Sequence, residues 1–237
     1  MSTADLDAIY ELTPLADAND ADRARFLDIM WVCFRDDPVW KTLIPDDEAK
    51  RHAANLFFSQ HIRFNGLVAN GHVVRERATG HIVGHAALFP PSPPAGPISD
   101  AFRATIVNAV GPHVASRLET MLGLFGGMTD LVAAEHPEIT DPIWGLQAVI
   151  VDPAMQGRGI GTWVVRALLA KFPPVPVILF TQEEHNVRWY SKKLGFELVD
   201  TRDFCVDGSP DGAKFINWTM LYVPKPVATE EEASAEL

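Results

Sequence analysis

Cysteine is nearly absent from this 237-residue chain, which holds two, Cys33 and Cys205. So few exclude a disulfide framework or a cysteine-based metal cluster. Two buried thiols are the expectation, with a single bridge left open. Positive charge is also short: 20 Lys and Arg face 31 Asp and Glu, for a formal net charge of −11. The broad basic face that nucleic acid or anionic lipid requires is therefore missing. No apolar run is long enough to span a bilayer. Asp5, Asp7 and Glu11 stand where a signal peptide would have its apolar core. The expectation is a cytoplasmic protein with no nucleic-acid or membrane partner, and no internal repeat is visible.

What is present is ordinary globular material, 47% apolar and 22% charged. Alternation over Ala8–Leu15 predicts a first strand. Asn19 or Asp20 then caps a helix whose apolar face is Phe26, Ile29, Met30 and Cys33. Pro38 and Pro45 are expected to break that helix, and a second one to run from about Glu48 to Asn65. "GHVVRERATGHIVGHAALF" predicts a hairpin turning near Ala78-Thr79-Gly80, and the proline-rich stretch after it an extended crossing. Residues 98–135 read as a helical insert interrupted at Gly111-Pro112 and at Gly123–Gly127. Then follow a strand, "IWGLQAVIVD", a helix from Ile160 to Phe172, a strand at 176–181, a helix from Asn186 to Lys193, and two closing strands. The expected organisation is one domain over residues 1–223 and an acidic, disordered tail at 224–237.

The most informative segment is "VIVDPAMQGRGIGTWVV", Val149–Val165. Gly157, Gly159 and Gly161 fall on alternate positions just where a helix should begin, although glycine costs a helix interior about 1 kcal/mol relative to alanine. A helix start presents free N–H groups and a partial positive charge, and glycine lets a ligand approach that backbone closely. From Pro153 to Gln182 there is no acidic residue, while Arg158, Arg166 and Lys171 are present. An anion can enter this clearing. The spacing is neither the G-x-G-x-x-G of a dinucleotide fold nor a Walker loop. A nicotinamide oxidoreductase thus fits only the glycines.

"VDPAMQGRGIG", with Gln156, Gly159 and Gly161, does resemble the Q/R-x-x-G-x-G/A signature of the Gcn5-related N-acetyltransferase superfamily. "HIVGHAALF" is similar to that superfamily's third strand, and "PVILFTQEEHNVRWYSKKLGF" to its fifth strand and following helix. The resemblance extends from Ala8 to about Val223. "CFRDDPVWKTLIPD" and "DPIWGLQAVIVDP" resemble the branch containing puromycin N-acetyltransferase. The implied fold is α/β of the α+β kind. It has a mixed, mostly antiparallel twisted sheet of about six to seven strands between helices, splayed between the fourth and fifth strands.

The implied activity is acetyl transfer from acetyl-CoA, without a metal, to a primary amine of a small molecule in a ternary complex. A non-catalytic acyl-CoA-binding or sensing protein on the same fold is the alternative. Amides of Gln156, Gly157, Arg158, Gly159, Ile160, Gly161 and Thr162 would hold the pyrophosphate. Val149, Ile150 and Val151 would pair with the pantetheine arm, and an amide there would polarise the thioester carbonyl. Asn186 would also bond the pantetheine, and Tyr190 would protonate the departing sulfur. One extra residue before Gly195-Phe196 leaves Ser191 as the alternative register. Glu184 and His185 are candidate bases, with Glu183, Glu138 and His136 behind them. Trp40, Trp144 and Gly145 would line the acceptor pocket. Asp36-Asp37 and Asp46-Asp47 either attract a cationic amine or cap helices. A homodimer stays open.

Overall fold

The structure is a computed structural model that describes residues 2–57, 59, 64–91, 100–209 and 211–224. The expected proline-rich crossing (92–99), residues 58 and 60–63 of the expected second helix and the tail beyond 224 lie outside the described residues.

The chain enters not on a strand but on helix α1 (Thr3–Ile9). Its start is fixed by a capping box in which Ser2 and Asp5 satisfy each other's amides. Strand β1 (Tyr10–Pro14) follows, two residues later than the alternation predicts. Asn19 caps α2 (Asp20–Phe34) by accepting from the Asp22 amide at 2.9 Å. The expected breaks are there, α2 ending before Pro38 and the next helix before Pro45, and Pro38 itself opens that new helix. Pro38 is the first residue of α3 (Pro38–Leu43), where its missing N–H costs nothing, and the Asp37 carboxylate accepts from Val39 N–H at 2.8 Å. Next come α4 (Glu48–Phe57), α5 (Phe64–Asn70), and the hairpin of β2 (Gly71–Glu76) and β3 (Ile82–Phe89), which turns through Gly80 at φ +72°.

The insert is two helices, α6 (Asp100–Val110) and α7 (Pro112–Glu135). The expected break at Gly111-Pro112 is there, but the one at Gly123–Gly127 is not. Helix α7 runs through those glycines because Val114, Ala115, Leu118, Met121, Met128 and Val132 are buried along it. Burial at about 1.5–3 kcal/mol per large side chain exceeds the helix cost of about 1 kcal/mol per glycine.

Strand β4 (Trp144–Val151) leads through a 3-10 turn, Pro153–Met155, into α8 (Ile160–Leu169). Strand β5 (Val177–Thr181), α9 (Glu184–Leu194), β6 (Glu197–Cys205) and β7 (Lys214–Tyr222) complete the described chain. Helix α9 stops at Gly195, whose φ of +78° lets its own N–H reach Ser191 O and the Phe196 N–H reach Tyr190 O.

Among the described residues seven strands form one sheet in the order β1-β2-β3-β4-β5-β7-β6. Every pairing is antiparallel except β4 with β5. That parallel pair holds for only two positions, Trp144 opposite Val177 and Gly145 opposite Ile178, and then the strands diverge. Helices α1, α8 and α9 cover one face through a core containing Leu6, Trp163, Val164, Leu168, Leu179 and Phe196. Helices α2 and α5 cover the other face over the first four strands. Helices α3, α4, α6 and α7 cover it over β6 and β7, around Leu43, Ile106, Leu118, Phe204 and Phe215.

Candidate active site

Because β4 and β5 pair only at their beginnings, they form a wedge that opens toward their C-terminal ends, where α8 and α9 begin. In open α/β sheets the crevice beyond the carboxyl ends of diverging strands is where ligands settle.

One side of the mouth is the glycine loop. Gly157 and Gly159 take φ of +77° and +86°, the left-handed region that explains two of the three glycines. Gly161 has a different reason: a Cβ there would lie 3.2 Å from the Trp189 ring. Among the described residues no backbone acceptor engages the six amides from Gly157 to Thr162. They form a cradle at the head of a helix whose Ile160, Trp163, Val164, Val165 and Leu168 are buried. Gln156 braces the loop, its side-chain amide donating to Val151 O at 3.0 Å. Asp152 caps the 3-10 turn and pairs with Arg25 of α2. Arg158 is exposed. A pyrophosphate suits this donor set, with free amides, no carboxylate in the loop itself and an arginine beside it.

The second side is β4. Trp144, Leu146, Val149 and Val151 join the core under α8, whereas Ala148 and Ile150 join the core under α2. Regular alternation would put residues 146 and 148 on one face. The phase changes at a β-bulge, where the pairing with β3 jumps from Gln147–Ala87 to Ile150–His85. Ala148 sits in it at φ +49°, unique among the non-glycine residues described. Past Gly145 this strand has no β5 partner, so the stretch Val149, Ile150 and Val151 is unpaired by β5 at the wedge, although the Val151 carbonyl accepts from Gln156 and Cys33.

The third side is α9. Asn186 donates its side-chain amide to Thr181 Oγ1 at 3.2 Å, tying the helix start to the end of β5. Tyr190 lies one turn on, buried, with ring centroids 4.5 Å from Trp189 and 5.5 Å from Phe196. Burial pushes its phenol pKa well above the ordinary value. Ser191 is exposed instead, in a groove near the C-terminal ends of α8 and α9 with Lys192 and Leu169.

The remaining candidates scatter. Glu183 and His185 pair at 3.6 Å in solvent, and Glu184 pairs with Arg188. His136 and Glu138 pair at 2.9 Å on the surface after α7, where Glu138's own amide and then His136 hold its carboxyl below the usual range. Trp40 is buried among the helices over β6 and β7. Trp144 packs on Phe172, 5.4 Å between centroids, under α8. Gly145 lies on the opposite face, where a Cβ would meet Gln147 Nε2 and Phe89. Asp37 and Asp47 accept from helix-start amides, and Asp36 pairs with Arg35 and Lys41. Cys33 and Cys205 are free and half-buried, not fully buried. The Cys33 thiol donates to Val151 O, and burial pushes its pKa up to about 11.

The sequence reading missed two side chains at the wedge. Trp189 donates from Nε1 to Thr162 Oγ1 at 3.2 Å and so joins α9 to the start of α8. Asn217 of β7 is fully buried, accepting from Gln182 at 2.8 Å and donating to Thr219 at 3.1 Å. A polar residue at an inward position of a closing strand was the available signal.

No helix among the described residues is long and apolar enough to cross a membrane. The sequence model of the Acetyltransferase (GNAT) family matches residues 24–196. Among solved structures, a histone acetyltransferase and related acetyltransferase of Corynebacterium glutamicum superposes with TM-score 0.58 at 18% identity, over 93% of this chain and 99% of the other. A Drosophila melanogaster polyamine N-acetyltransferase gives 0.56 at 14% identity, over 91% and 99%. A mosquito arylalkylamine N-acetyltransferase-like protein gives 0.55 at 14%, over 91% and 100%. At these identities the likeness is one of fold.

Proposed function

Since this chain belongs to the Acetyltransferase (GNAT) family, we propose that it transfers the acetyl group of acetyl-CoA to a primary amine of a small molecule by direct attack in a ternary complex. The observation that carries this reading is the meeting, at one wedge mouth, of an open strand edge and six unengaged amides at a helix start. A molecule with a strand-like amide arm and a pyrophosphate matches both. The amines named for the Drosophila and mosquito proteins belong to the proposed substrate class.

Amides of Gly157 to Thr162 hold the pyrophosphate, and the Val149–Val151 edge pairs with the pantetheine amides. The Val149 amide, which lies in the bulge without a register partner, would face the thioester carbonyl and stabilise the charge that gathers on its oxygen. The amine nitrogen forms the new N–C bond and sheds a proton. The C–S bond breaks with its electron pair on sulfur, and sulfur gains a proton. Tyr190 supplies a hydrogen bond or proton there, its buried phenol being in the protonated form. The shared helical face of Asn186 and Tyr190, and the exposure of Ser191, support Tyr190 over Ser191. Glu183, Glu184 and His185 stand in solvent at the start of α9, where the amine's proton leaves to water or to one of them.

The test is thiol release from acetyl-CoA with a panel of polyamines and arylalkylamines, with mass spectrometry of the products. Amine-dependent release and an acetamide product are expected. CoA binding without turnover of any amine would favour the acyl-CoA sensor, and no CoA binding would overturn both.

A further inference from the structure

The strained residue of β4 is held by a side chain that no sequence signal marked. Ala148 sits at φ +49°, a conformation that costs an L-residue roughly 1–2 kcal/mol. Its carbonyl oxygen accepts from a side chain. It lies 2.9 Å from Nδ1 of His85, on β3, on the α2 side of the sheet. A carbonyl only accepts, so Nδ1 carries the hydrogen and donates.

The histidine is itself fixed. Its ring is fully buried, with its centroid 4.7 Å from that of Phe26 on α2. Behind it the backbone leaves no slack: a Cβ on Gly71 would lie 2.4 Å from His85 Nε2 and 2.3 Å from Leu67 O.

A trans peptide is planar, and its C=O and N–H point in opposite directions. Holding Ala148 O on the α2 side therefore aims the N–H of the same peptide group, that of Val149, at the α8 side. Neither Ala148 nor Val149 has a register partner on β3, and β5 has already diverged. We propose that His85 is a positioning residue. By donating to Ala148 O, it locks the bulge peptide so that the Val149 N–H faces the thioester carbonyl, and it polarises that peptide into a stronger donor. The inference rests on the donor reading given above and adds the device that aims its carbonyl-polarising amide.

Three variants of the full chain test it. His85→Leu removes the donor. His85→Asn keeps an N–H at the same branch position, and His85→Gln moves it one bond outward. The first readout is kcat against KM for acetyl-CoA. His85→Leu and His85→Gln should lose about ten- to a hundred-fold in kcat, below the loss from deleting an oxyanion donor outright. KM should move less than about threefold, and His85→Asn should recover most of the rate.

The second readout is the infrared carbonyl band of acetyl-CoA labelled with carbon-13 at the acetyl carbonyl. Bound to the native protein, the band should shift to lower frequency. The shift should persist in His85→Asn and vanish in His85→Leu. If His85→Leu fails to fold, the comparison of Asn with Gln carries the same contrast.

A band unshifted in the native complex overturns the proposal while leaving the acetyl-CoA reading intact. So does a shift retained by His85→Leu or His85→Gln, or equal impairment of Asn and Gln with the shift retained. A native protein that binds no acetyl-CoA overturns the reading beneath it as well.

Discussion

Replacing Gly159 with alanine separates backbone conformation from bulk at the proposed pyrophosphate cradle. Gly159 caps α8 at φ +86°, and a Cβ there would meet only Leu6 Cδ1, at an ordinary 3.7 Å. Sterics therefore cost nearly nothing, and the penalty is the left-handed conformation, roughly 1–2 kcal/mol. For a domain of this size each 1 kcal/mol lowers Tm by about 2–4 °C, so a fall of about 2–8 °C is expected in a protein that still folds. Relief of that strain rotates the peptides on either side of residue 159, and the amides cease to converge. Losing one charge-assisted hydrogen bond costs about 1.5–3 kcal/mol, or roughly 10- to 150-fold in CoA affinity. Gly159→Val adds branching at the same φ and should lose more on both counts. Calorimetric titration with CoA and a thermal melt without ligand read the two effects separately. A folded Gly159→Ala protein that binds CoA within threefold of the native one would refute the cradle.

Tyr190→Phe should lower kcat by roughly ten- to a thousand-fold with little change in acetyl-CoA affinity, and Ser191→Ala should do neither; the reverse pattern in steady-state kinetics would show that Ser191 serves the sulfur. Gly71→Ala drives a Cβ to 2.3 Å from the Leu67 carbonyl, so a loss of about 3 kcal/mol or more and a Tm lower by at least about 6 °C are expected in a melt. Asp207 is held to a pKa of about 2 by the Arg117 guanidinium, with Nε to Oδ1 at 2.6 Å, and then by the Ala213 amide. Its carboxylate is depressed in the folded state, so its contribution to stability is complete above pH 4, near the unfolded value, and fades as pH falls toward 2. Arg117→Gln should flatten urea-unfolding stability across that window, and an unchanged slope would remove the pair from the account.

The strands of the sheet were legible because long stretches carry one period each, whereas the splay was implied only by the family resemblance. "PVILFT" and "IWGLQAVIV" are nearly continuous apolar runs, interrupted by Gln147 and closed by Thr181, and the hairpin alternates around Gly80. Misreadings occurred where a local rule lost to its neighbourhood. Ala8 and Ile9 alternate with their neighbours as a strand would, yet the Ser2–Asp5 capping box starts a helix that carries through them. The α7 glycines have open space beside them, and the buried stripe on that helix keeps it intact. At the candidate site the glycine loop was visible because glycine is a chemical signal of positive φ. The bulge was not, because alanine occupies it and the residue that holds it there, His85, is 63 positions away in the chain. A tertiary hydrogen bond leaves no local trace.

The divergence of β4 from β5 also bears on how the protein avoids other chains. A sheet edge is a row of unpaired N–H and C=O groups, and an exposed one recruits any extended peptide, its own copies included. Here the outer edges are guarded: β6 carries Glu197, Asp200, Arg202 and Asp203, and β1 ends in Pro14. The two unguarded apolar edges face each other inside the molecule. They are closed at one end by the Trp144–Val177 and Gly145–Ile178 pairs and covered by helices on both faces. An extended segment can reach them only by threading in from the open end, past Gly157–Thr162 and the start of α9. A slender, flexible arm can do so, and a flat strand with side chains on both faces would collide with the covering helices. An edge left unpaired for a slender ligand is in this way shielded from pairing with a flat strand.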